Sequence, residues 1–248
     1  DRSPSRGLGD VYKRQPKDRL YPDVYFKTED ELQLFTNQFY NNLVPSAVDI
    51  YSESSDLIVK SDLMLEMSGQ RIIPDEGNGW NFTALRDINF YLQYSHNCTE
   101  VNARNRYDGV ARFFRAYFYF EKVKRYGDIP WYDKALDSDD PELYKARDSR
   151  EFVMQKMLED LDFAIANLPK TKNAYVLTRW TALALKSRVC LFEGTFRKYH
   201  GLEDYEKYLN ACVSASETFM NESGYTLYKS GSTPYRLSLI HISEPTRR

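Results

Sequence analysis

Cysteine, histidine and clustered charge are what this sequence has least of, and each shortage removes a class of protein. The three cysteines of the 248 residues, Cys98, Cys190 and Cys212, have no CxxC or Cys/His ligand spacing, so neither a disulfide framework nor a zinc site is expected. They read as free thiols in or beside helices, with a Cys190–Cys212 bridge between neighbouring helices as the weaker alternative. Of the three histidines, His96 and His200 stand far apart and His241 lies in the tail; none belongs to an HExxH spacing. No GxSxG, Walker or GxGxxG motif occurs, so no cofactor, metal or catalytic constellation is expected. The net charge is −2 with both signs interspersed, which gives no reason to expect nucleic acid as a partner. No uncharged apolar run approaches the ~20 residues of a membrane helix.

Aromatic residues are what the chain has instead, at 15% with 20 tyrosines. They concentrate in Tyr107–Pro130, YDGVARFFRAYFYFEKVKRYGDIP. Between Val110 and Phe120 only Arg112 and Arg115 carry charge, and apolar residues fall on every side of a helix, which means burial. The reading is a helix from about Arg104 to Tyr126, with Gly127 as a left-handed cap and Pro130 forbidding continuation. A buried guanidinium must be paired, so Arg112 and Arg115 are expected to meet carboxylates of neighbouring helices, with Glu121 and Asp160 as candidates.

Further elements follow from caps and periodicity. Thr28 and Glu31 form a capping box for a helix with Leu32, Phe35, Phe39 and Leu43 on one face, ended before Pro45. Residues 47–67 read as loop with short helical turns. Gly69, Pro74, Asp75, Gly77 and Asn78 make Ser68–Gly79 an exposed loop, and Asn81 to about Val101 reads as helix with Leu85, Ile88 and Leu92 inward. Beyond a polar connection, Ser149 caps a helix whose stripe runs Met154, Met157, Leu158, Leu161, Ala164, Ile165, Leu168. Thr178 caps another (Ala182, Leu185, Val189, Phe192 inward; Ala184 and Ser187 small enough for close approach), and Asp204–Asn221 is a last amphipathic helix. The aromatic and small-residue helices align without gaps, Ala111 with Ala182 and Arg115 with Lys186. The fold class is therefore mainly α, an irregular helical fold with embedded tetratricopeptide-like hairpins.

Ala111-Arg112-Phe113-Phe114-Arg115-Ala116-Tyr117 followed by Tyr126-Gly127-Asp128-Ile129-Pro130 resembles the signature segment of the SusD/RagB family, surface glycan-binding lipoproteins of Bacteroidetes. Trp80 with Leu85, Ile88 and Asn89, Asp160-Leu161-Asp162 and Leu168-Pro169 extend the resemblance; Trp180 departs from it. Arg112, Phe113, Arg115, Gly127 and Pro130 mark the fold in that family and not its ligand site. The first fifteen residues (DRSPSRGLGDVYKRQ) and residues 237–248 (LSLIHISEPTRR) resemble translated sequencing-adapter sequence, so residues 16–236 are expected to be one incomplete SusD/RagB-like domain.

A sugar ring has an apolar face that stacks on an aromatic ring and hydroxyls that need fixed donors and acceptors. Trp80 beside Arg71, Asn78 and Asn81 suits it; the alternative is that Trp80 only staples its helix to the core. The carboxylate groups Asp75-Glu76, Asp137–Asp140 and Glu159-Asp160-Asp162 could suggest a glycoside hydrolase, but the last lies on the polar side of an amphipathic helix and reads as solvated charge. The resemblance implies non-catalytic binding of a glycan or other nutrient polymer at the outer membrane. It further implies delivery to a SusC-like TonB-dependent transporter and attachment by a lipid anchor. A helical-repeat scaffold for protein partners is the alternative.

Overall fold

The computed structural model describes residues 25–44, 68–70, 72 and 79–226. Among them every regular element is helical. α1 is Glu29–Leu43, α2 Thr83–Tyr94, α3 Val101–Tyr126, α4 Arg150–Asn167, α5 Arg179–Tyr199 and α6 Tyr205–Glu222. The loop read over 47–67, most of the Ser68–Gly79 loop and both adapter-like ends lie outside the described residues.

The caps form as the sequence dictates. Thr28 Oγ1 accepts from the Glu31 amide while Glu31 reaches back to the Thr28 amide, and Ser149 and Thr178 cap α4 and α5. Each supplies an acceptor to a backbone N–H that has no partner inside its helix.

α3 is the axis. Phe113, Phe114, Phe118, Tyr119 and Phe120 are all buried, at roughly 1.5–3 kcal/mol for each large ring; Tyr117 is half-buried. α4 returns antiparallel along α3: the Gly109 Cα faces Leu168 and Ala164, Arg112 lies over Phe163, and Arg115 meets Asp160. α1 and α2 cover the other side of α3. α5 and α6 form the second hairpin, joined by Ser187–Ser216 (2.7 Å) and by a close approach at Gly194. A Cβ at Gly194 would stand 2.7 Å from Leu209 Cδ2, so only hydrogen fits there.

Charge fastens the hairpins. Arg115 holds Asp160 through two parallel bonds, Nε to Oδ2 at 2.6 Å and Nη2 to Oδ1 at 2.8 Å, and its Nη1 donates to Asn89 Oδ1 on α2 at 3.3 Å. Arg112 lies 3.8 Å from the same carboxylate, whereas Glu121 pairs with Lys124 instead. At the other end Glu193, wholly buried, is shared by Arg150 (2.7 Å) and Arg197 (2.8 Å), and Arg197 reaches on to Glu151.

Four expectations are corrected. Asn81–Val101 is not one helix: Ser95–Asn97 is a 3₁₀ turn and α3 starts at Val101. Short polar side chains there compete for the backbone: the Ser95 hydroxyl donates to the Leu92 carbonyl and His96 Nδ1 meets the Gln93 carbonyl at 2.8 Å. Gly127 has the positive φ expected (+70°), but its ψ of −109° lies outside the left-handed helical well. Asp160 is not on a solvated face; it is 2% exposed because Arg115 draws it inward. Ala184 is exposed, so the close approach on α5 comes from Ser187 and Gly194 instead. The three cysteines are free, Cys98 and Cys190 buried and Cys212 partly so.

Removing one partner of a buried pair strands the other's charge, so Asp160→Ala should cost about 3–5 kcal/mol in chemical denaturation. The more exposed pair Lys186–Asp162 sets the contrast: Lys186→Ala should cost no more than about 1 kcal/mol. Equal losses would mean that α3 is not held by its ion pair.

Candidate functional site

The end of the Ser68–Gly79 loop is tied to the last turn of α3. The Lys122 ammonium donates to the Gly79 carbonyl. Gly79 has φ +89°, which strains any residue with a side chain, and a Cβ there would come within 3.3 Å of Arg125 Nη1 and Tyr126 Oη, which would have to shift. Trp80 is thereby delivered to the surface at the mouth of α2.

Its indole stands edge-to-face with Phe82 (5.3 Å) and Tyr126 (4.9 Å). The Arg147 guanidinium lies 5.0 Å from its centre. Trp80 nonetheless remains 38% exposed, so it is oriented by its neighbours without being covered.

Beside it opens a cavity of about 390 Å³, within the range of small-molecule sites. One wall is α2 with Phe82 at its N-terminal cap, where Phe82, Leu85, Arg86 and Asn89 recur every three or four residues and so share one face. The other is the connection after α3, which supplies Tyr132, Lys134, Leu136 and Leu143. That connection is fixed from below. Tyr119 stacks on Trp131 (4.2 Å), its hydroxyl accepts from the Tyr132 amide (2.7 Å), and burial raises its pKa, keeping the phenol neutral. The Trp131 amide donates to Asp148 (2.7 Å), and the Arg150 amide at the start of α4 donates to Asp128 (2.8 Å). Thus the Gly127-Asp128-Ile129-Pro130 turn aims the connection and helps start α4.

Asn89 joins cavity and core. Its Nδ2 donates to the carbonyls of Tyr132 (2.8 Å) and Lys134 (3.2 Å), while its Oδ1 accepts from Arg115. The rim is ionic: Arg86 donates to the Leu136 carbonyl and lies 3.8 Å from Asp137, and Lys134 is 2.9 Å from Glu142 and 3.5 Å from Asp140.

Of the four ligand-site residues expected from sequence, Trp80 stands at the cavity and Asn81 beside it. Asn81 is exposed, with its side-chain oxygen accepting from the Thr83 amide at 2.8 Å, where it starts α2. Arg71 and Asn78 lie outside the described residues. Arg86, Lys134 and Arg147 were not anticipated. Arg86 could have been found from its place on the helix face with Phe82 and Asn89; Arg147 sits in a polar connection far along the chain and gives no local signal. The motif residues Phe113 and Arg115 are buried, as is Pro130.

Two other hollows flank α3. One, about 350 Å³, is lined by Tyr40, Phe113, Tyr117 and Leu177. The other, more polar, holds Asp108 and Arg112 and shares Lys134 with the Trp80 cavity. Among the described residues no group of His, Cys, Asp or Glu is placed to hold a metal, and no helix is long and apolar enough to cross a membrane.

Residues 34–179 match a protein family described as starch-binding and associating with the outer membrane. A curated SusD-like protein of Formosa agariphila is 29% identical over 87 residues, 35% of this chain and 17% of that protein. A solved SusD-like protein of Bacteroides fragilis shares the fold with a TM-score of 0.63 at 23% identity, over 90% of this chain and 44% of its own. For NanU of B. fragilis the values are 0.64, 20%, 86% and 46%. The chain thus spans less than half the length of these solved relatives.

Asn89→Ala would strip the Lys134 carbonyl and one Arg115 N–H of their partner and leave the Tyr132 carbonyl only the longer bond from the Tyr119 hydroxyl (3.5 Å), and should cost about 1–3 kcal/mol by denaturation. A loss under 0.5 kcal/mol would show the cavity wall to be independent of the core. Burial raises the pKa of Asp108. A carboxyl whose folded pKa is raised favours folding most below its unfolded value, and that contribution is lost as pH rises through the folded one. Asp108→Asn should therefore raise Tm at pH 7 relative to pH 3.5; an unchanged difference would contradict the shift.

Proposed function

The chain belongs to the SusD-like family, described as starch-binding and associating with the outer membrane, and on that premise we propose that it is a cell-surface glycan receptor. Attached to the membrane by a lipid anchor of its own, it holds a glycan or related nutrient polymer without breaking a bond and passes it to a SusC-like TonB-dependent transporter. The observation that carries the reading is the partly exposed indole of Trp80 at the edge of a cavity rimmed by guanidinium and ammonium groups.

The chemistry suits a sugar. The free indole surface offers a platform for the apolar face of a pyranose, and Phe82 and Tyr126 fix its plane in advance, so little orientational freedom is lost on binding. Arg86 and Lys134 offer N–H donors to hydroxyls. The carboxylates at the rim, Asp137, Asp140 and Glu142, are committed to those two cations. That suits a site that holds a sugar better than one that must protonate its leaving group.

Trp80→Ala, measured by calorimetry against soluble polysaccharides, should weaken binding about tenfold or more, the equivalent of about 1.4 kcal/mol, with unchanged circular dichroism. No reducing ends should appear during the incubation. Undiminished affinity in the variant would move the site elsewhere, and released reducing ends would make the protein an enzyme.

A further inference from the structure

Three cations converge on Gly79 and Trp80 with no carboxylate paired to them among the described residues. Lys122 donates to the Gly79 carbonyl, Arg125 stands against the Gly79 Cα, and Arg147 lies over the indole. The acids nearest in sequence are engaged elsewhere: Glu121 with Lys124 (2.6 Å), Asp148 with Lys145 (2.9 Å), and Asp128 with the Arg150 amide. At the far end of the cavity every cation has a carboxylate partner, Arg86 with Asp137 and Lys134 with Asp140 and Glu142. Among the described residues the site is therefore polarised, positive around Trp80 and balanced beyond it. The chain as a whole is slightly acidic at −2, so general basicity is not the cause.

Resting on the glycan reading above, we propose that this site selects an anionic glycan, whose sugar ring lies on Trp80 and whose carboxylate or sulfate group is taken by Arg125 and Arg147. A uronic acid carries its carboxylate on the ring's edge, so a ring stacked on the indole presents that group to the cations around Trp80, among them Arg147, whose guanidinium lies 5.0 Å from the indole centre. A guanidinium binds an oxyanion through two parallel N–H bonds, and it keeps its contact with an aromatic ring while doing so. Lys122 adds a third positive charge from beneath the loop. Burial and the charge of Arg125 lower its pKa, as expected where like charges gather without a counter-ion. Asp75 and Glu76 precede Gly79 in the chain and lie outside the described residues.

The experiment compares three probes by calorimetry on the full chain: trigalacturonate, a sulfated galactan oligosaccharide and neutral galactotriose. At least one anionic probe should bind about tenfold or more tighter than the neutral one, and the gap should close between 50 and 500 mM NaCl as screening shortens. Arg125 and Arg147 are both exposed, so the double variant Arg125→Gln/Arg147→Gln should stay folded. It should abolish the preference, bringing the anionic probes down to the affinity of the neutral one, and Trp80→Ala should weaken all three. Asp75→Asn/Glu76→Gln should widen the gap or leave it unchanged. Equal affinity for the three probes, or a preference that survives the double arginine variant, overturns the proposal and leaves the glycan receptor standing. Failure of any glycan to bind overturns both.

Discussion

The pair Arg115–Asp160 is the constraint on which the other contacts depend. A guanidinium in the middle of an aromatic helix cannot be buried alone, so α3 must be met at that level by a carboxylate, and α4 supplies it from its otherwise apolar side. Two parallel bonds fix the azimuth and the height of α4 on α3 more tightly than greasy side chains can. The third N–H of the same group then reaches Asn89, so α2 is registered by the same residue. One side chain thus sets three helices relative to one another.

The second hairpin uses the same device in a different place. Glu193 on α5 is buried between Arg150 at the start of α4 and Arg197 one turn further along α5. Buried ions of this kind add little net stability compared with apolar packing, but they discriminate strongly against wrong registers. That matters in a helical stack, where sliding by one turn would leave the apolar stripes nearly as well matched.

Much of this was legible in the chain. The Thr28 capping box, the stripe of α4 and the burial of α3 follow from local chemistry and period, and the need for a partner near Arg115 follows from charge. What was illegible depended on position in space. Asp160 could be named as a candidate partner, three residues after Met157 and four before Ala164, but the choice between it and Glu121 was not legible, because it depends on which helix packs opposite Arg115. The break at Ser95–Asn97 was hidden because neither Gly nor Pro marks it; only short polar residues do. Of the site, Trp80 was visible as a large ring after a turn, whereas Arg147 belongs to it only because the connection after α3 folds back across the mouth of α2.

Asn89 divides the cavity into parts with different freedom to vary. Its amide serves the backbone of the opposite wall and the ion pair of the core at once, so a substitution there would be felt as a folding defect before any change in ligand could be noticed. Arg86 and Lys134 touch the same hollow from the solvent side, Arg147 touches only Trp80 at its edge, and none of the three carries such a second duty in the core. Related proteins could therefore diverge in appetite by rewriting the rim while inheriting the floor unchanged, which is how one rigid frame can accompany a change of diet.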